Sequence, residues 1–196
     1  IARRESDLAL EMQALVAAAH VDATYLNYAE SIRKDLRAIE LAKRVDLPDE
    51  EHHALFELAD VSYCIGDLPG SALHAEALLE SATRRGTRFW RAQAFSVNMV
   101  VLVLQGNWDA AREFGDLGLA VSPREPSLLS ARVELEYQVG DFSQGDAFLG
   151  RLIEATRQAA AGTPLGSISM PAIAVPVDAR IAGGSESRFH EAEEAA

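Results

Sequence analysis

Two adjacent histidines, His52 and His53, follow Asp49, Glu50 and Glu51. Imidazoles beside carboxylates are the raw material of a transition-metal site. Neighbouring residues on a helix point about 100° apart, however, so this pair cannot share one ion. The run reads instead as an acidic first turn that complements the helix dipole, carrying two partly exposed histidines. No His-Glu-x-x-His string exists, and His20, His74 and His190 are isolated in sequence, so no metal is expected. Cys64 follows Tyr63 late in a helical stretch, where a small buried thiol is expected rather than a nucleophile. "GSISMP" lacks the strand-turn-helix setting of a nucleophile elbow. "GGSES" and "GDLPGS" lack the lysine of a phosphate-binding loop. Asp109, Glu113 and Asp116 recur at three-to-four spacing and line one solvated helix face. Acid, base, nucleophile and metal ligands do not converge anywhere. The segment is therefore expected to be non-enzymatic and free of cofactors.

What must position these residues is helical. The chain has 196 residues, 48% of them hydrophobic and only 7% aromatic, and is rich in Ala and Leu. That suits one domain or one short repeat array. A net charge of −12, with scattered arginines and only Lys34 and Lys43 besides, argues against direct nucleic-acid binding and against an anionic membrane surface. The apolar run from Val97 to Leu104 is interrupted by Asn98 and is too short for a bilayer span. A single cysteine fits a reducing, cytoplasmic setting. "IARRESDLAL" has no apolar signal region, and both ends look cut, so a piece of a longer chain is expected.

Internal echoes organise the rest. "GNWDAAREFGDLGLAVS" from Gly106 lies over "GDFSQGDAFLGRLIEAT" from Gly140, 34 residues later, with Trp108, expected to pack at its turn, answering Phe142. "GDLPGSALHAEALLESA" from Gly66 is a third copy, and a degenerate fourth follows Gly183 and Gly184. Each turn is preceded by apolar residues at helical spacing. Glycine past the first helix takes the left-handed conformation, and the Asp or Asn after it is expected to cap the second helix. Small Ala111, Gly115 and Gly118 let paired helices approach, and Pro123 breaks the chain before the next unit. A first pair without a glycine turn is expected to bend at "HVD", residues 20–22. The expected architecture is all-α, a right-handed α/α superhelix (solenoid) of about five antiparallel helix pairs in a single domain, 1–196. The pairs span about 5–45, 52–84, 88–121, 126–160 and an incomplete 168–196, with 159–171 as a loop or insertion.

The 34-residue spacing and these small-residue positions resemble the tetratricopeptide (TPR) repeat. Asn98 and Met99 depart from its usual Leu-Gly pair, and Arg132 and Glu136 stand where it places apolar residues. The 40-residue step from Gly66 to Gly106 resembles repeat regions of bacterial MalT-type and LuxR-family ATPase transcription regulators and of class III nucleotide cyclases. That resemblance implies a cytoplasmic bacterial signal-transduction module. Such a module binds a protein partner, another domain of its own chain, or a small-molecule inducer; the alternative is a free-standing adaptor. It also implies a concave groove lined by first helices. Carried onto this chain, the groove positions are His53, Phe56, Asp60 and Tyr63, then Gln93, Ser96 and Val100, then Ser130, Glu134, Tyr137 and Gln138.

Overall fold

A computed structural model describes the backbone of residues 2–42 and 44–158, with side chains over 7–42 and 44–156. The expected fifth pair and the segment 159–171 lie outside the described residues. Within them the chain is all-helical and strand-free. The helices are α1 (Ala2–Thr24), α2 (Tyr28–Ala42), α3 (Pro48–Cys64), α4 (Leu68–Arg85), α5 (Arg88–Leu104), α6 (Trp108–Val121), α7 (Pro126–Gln138) and α8 (Phe142–Gln158). They pack in successive pairs as a helical-repeat fold. The chain divides into two compact units, Ile1–Val101 and Leu102–Ala196, the boundary falling near the end of α5.

Most turns share one construction. Gly66, Gly86, Gly106 and Gly140 have φ of 84°, 72°, 74° and 83°. The next residue's N–H reaches back to the carbonyl five positions earlier: Asp67 to Ser62, Thr87 to Ala82, Asn107 to Leu102 and Asp141 to Glu136, at 2.8 to 3.0 Å. This satisfies carbonyls that the end of the helix would otherwise leave bare. Leu26, at φ 63°, makes the same closure, with Asn27 N–H bonded to Asp22 O at 2.8 Å. The first bend is therefore at residues 25–27, not at "HVD". Nothing in His20-Val21-Asp22 stops a helix, and Leu26 takes the strained place that glycine holds elsewhere.

Leu26 as a turn reveals a complete register. Five residues past each turn stand Ser31, Ser71, Ala111 and Gly145, small and buried. Nine past stand Asp35, Ala75, Gly115 and Leu149, and twelve past stand Ala38, Leu78, Gly118 and Leu152, all buried. These three positions form the buried seam of each second helix. In the first unit Ser71 Oγ donates to Ala59 O at 2.7 Å, and Ala59, Ala75, Val97 and Val101 form one apolar cluster.

Side-chain expectations need four corrections. Asn107 makes no side-chain cap, whereas Asp67 accepts from Gly70 N–H at 3.0 Å and Asp141 from Gln144 N–H at 3.2 Å. Trp108 and Phe142 are exposed, at the outer edge of their turns. Cys64 is exposed in the last turn of α3 rather than buried, since the helix ends there and Ile65 is exposed too. His52 is fully buried: its Nε2 lies 3.1 Å from Ser81 Oγ on α4, and its ring lies 5.9 Å from that of Trp90.

In the second unit Arg132 and Glu136, which break the apolar pattern of α7, are buried and pair with each other at 2.8 Å. Arg112 from α6 grips Glu136 through Nη2 at 2.6 Å, and Arg132 bonds Asp116 and the Arg112 carbonyl. The Arg132 guanidinium also stacks over Phe148 of α8, 4.4 Å from the ring centre. A charge network thus fills the space that apolar residues were expected to fill.

Candidate functional site

Helix α3 has two faces. Ala54, Leu55, Leu58, Ala59 and Val61 are buried. His53, Phe56, Asp60 and Tyr63, at three-to-four spacing on another face, are half-buried. Pro48 starts the helix and Asp49, Glu50 and Glu51 fill its first turn, which favours that end of the dipole. Trp90 of α5 stands over the row. Its ring lies 5.8 Å from His53 and 6.3 Å from Phe56, and its Nε1 donates to Asp49 Oδ1 at 3.1 Å.

His20, near the end of α1, faces the same row. Its Nδ1 lies 2.8 Å from Glu57 Oε1, and His53 Nε2 lies 3.5 Å from that oxygen. His20 is thus not isolated. One potential ligating atom from each of the three residues lies within 4.8 Å of the others. His52, by contrast, turns away into the core, so the adjacent pair does not share a site. Burial alone would push the Glu57 carboxyl up, but hydrogen bonds from His53 and His20, with their charge, more than offset it and leave the pKa lowered.

Further along α3, burial pushes the Asp60 carboxyl up, with Glu57 adding repulsion and Tyr63 and His20 opposing. Tyr63 is pushed well above its ordinary value by burial and by the charge of Asp60. Partial desolvation and the same charge raise the Cys64 thiol, against hydrogen bonds with Tyr63 and Tyr28. A thiol raised in this way is a poorer nucleophile than a free one. The arrangement offers carboxylates, imidazoles and rings for contact, without an activated group. Among the described residues, no Lys or Arg pairs with Glu57 or Asp60.

The other groove positions are placed differently. Gln93 and Ser96 are buried within α5, and Val100 is half-buried. In the second unit Ser130 is buried, and Tyr137 is buried with its hydroxyl donating to Asp146 Oδ1 at 2.8 Å. Glu134 is half-buried, its carboxyl raised by burial against a hydrogen bond from Ser130, and Gln138 is exposed. A recess beside α8, bounded by Pro123, Arg124, Arg151 and Glu154, collects no comparable set.

The fold has a known counterpart. Among solved structures the chain is similar to BtubC (BKLC) from P. vanneervenii, with a TM-score of 0.65 across 98% of this chain and 87% of that one. At 13% identity the likeness is one of fold alone. No protein-family model matches the chain, and no curated protein is significantly similar in sequence. Among the described residues no helix is long and apolar enough to cross a membrane.

Sequence reasoning missed His20, Glu57 and Asp35. His20 lies six residues before the Leu26 turn, the place that Asp60, Val100 and Glu134 hold before Gly66, Gly106 and Gly140. Recognising Leu26 as a turn would have put it among the groove positions. Asp35 interrupts the buried stripe Ser31, Ala38, Leu41 and is itself fully buried. Its pKa is raised to about 8 by burial and by the charge of Glu57, which Ser31 only partly offsets.

Proposed function

We propose that this chain is a non-catalytic helical-repeat module that binds a basic segment of a protein partner, or of its own parent chain, along α3. The observation that carries this is the half-buried row His53, Phe56, Asp60 and Tyr63, backed by the buried Glu57, in which neither acid has a Lys or Arg partner among the described residues. A guanidinium or ammonium group placed there gains both a desolvated carboxylate and a stacking surface. In this reading the module belongs to a cytoplasmic bacterial signalling or transcription regulator and passes the bound state to an output domain.

Two experiments test it. On an array of short peptides, read in EDTA, those carrying Arg or Lys next to an apolar residue should be retained. Asp60→Asn should weaken retention about tenfold or more, as for loss of a desolvated charge pair. Equal retention of acidic peptides would contradict the reading. The coding sequence on either side tests the signalling assignment. A P-loop ATPase, helix-turn-helix or cyclase domain supports it, and a gene that ends shortly after Ala196 favours the free-standing adaptor.

A further inference from the structure

The geometry points to a divalent transition-metal site formed by His20, His53 and Glu57, with zinc the best-suited ion. Helix α3 supplies His53 and Glu57 four residues apart, and hence on one face, while α1 brings His20 from 37 residues earlier in the chain to Glu57. Ligand atoms around a tetrahedral zinc lie roughly 3.3 Å apart, as Zn–N and Zn–O bonds of about 2.0–2.1 Å require. Here His20 Nδ1 and His53 Nε2 stand 2.8 and 3.5 Å from Glu57 Oε1, so small rotations of two partly exposed rings suffice to seat an ion.

The donor set selects the metal class. Two imidazoles and one carboxylate suit zinc, nickel, copper or iron and suit the oxygen-seeking magnesium and calcium poorly. Glu57 is nearly buried at 7% side-chain exposure and anchors the site, whereas His20 at 60% leaves it open to entering ions. Three protein ligands leave a coordination position for water or for a donor from a partner. The backbone around His20 is tied down, because Thr24 Oγ1 donates to its carbonyl at 2.9 Å. A bound ion would therefore clamp α1 to α3. The site shares His53 and Glu57 with the peptide-binding row, so the peptide array is read in EDTA to keep the two tests distinguishable.

The test uses the full chain, stripped with EDTA and dialysed. It is titrated with ZnCl2 by calorimetry and with CoCl2 by visible absorbance. The expected result is one zinc per chain and a cobalt d–d band of low coordination number. His20→Ala and His53→Ala should each weaken zinc binding at least about tenfold. His74→Ala should leave binding unchanged, and MgCl2 should give no heat. Both ligand variants alter partly exposed side chains, and circular dichroism checks that they fold. Absence of stoichiometric zinc binding, or zinc affinity unchanged in both ligand variants, would overturn the proposal.

Discussion

At the scale of single residues, Asp35 is the most consequential departure from pattern. It occupies the seam position that Ala75, Gly115 and Leu149 take in the later pairs, and its carboxyl oxygens have no well-formed hydrogen bond among the described residues. Its folded pKa of about 8 lies far above its ordinary value of 3.8. The folded state therefore holds a proton that the unfolded state releases, and stability should fall as pH rises between those two values. Asp35→Ala should remove this slope, raising stability by about 1–3 kcal/mol at pH 8 and by less at pH 5. Urea melts at the two pH values check it, and a variant that is less stable at pH 8 would show that the buried acid has an unrecognised partner. Leu26→Gly relieves a left-handed strain of about 1–2 kcal/mol against an entropic cost of about 0.5–1 kcal/mol, so the melting temperature should hold or rise slightly. A fall of several degrees would mean that the Leu26 side chain, though exposed, contributes packing.

At the scale of elements, helix pairs close through small residues, and the sequence showed this where glycine marked the turn. Gly66, Gly106 and Gly140 were legible because a left-handed turn demands glycine, and Ala111, Gly115 and Gly118 because they recur as small residues at buried helix positions. The first turn was hidden because Leu26 fills the glycine position. The charge network of α7 was hidden because Arg132 and Glu136 look like surface residues until α6 supplies Arg112 and Asp116. Ala111→Leu should overpack the seam at a cost of about 1–3 kcal/mol. Glu136→Ala should cost more, about 3–5 kcal/mol, because it removes the buried partner of both Arg132 and Arg112 and leaves the buried Arg132 only the exposed Asp116 and a backbone carbonyl. Denaturation followed by Trp108 fluorescence in a Trp90→Phe background reads both variants in the second unit. Comparable small losses would place the network's net contribution near that of surface pairs.

At the scale of the whole chain, composition excluded functions more readily than it assigned one. The charge of −12 and the arginines scattered along the sequence speak against nucleic acid. The groove assignment came from resemblance. Its α3 residues share one half-buried face, whereas Gln93, Ser96, Ser130 and Tyr137 in α5 and α7 are buried. Repeat registers assign positions, but burial depends on which helix comes next, and that is not written in a single unit. The same limit concealed His20, which joins the α3 row only because α1 packs beside it.

Helix α3 is proposed as the face on which this protein meets its partner. Backbone amide chemical shifts of the labelled chain, followed as an array-selected basic peptide is added, test it most directly. The largest changes should fall on His53, Phe56, Asp60 and Tyr63, with Trp90 and His20 moving alongside. Changes centred on α6 to α8, with α3 unmoved, would contradict it.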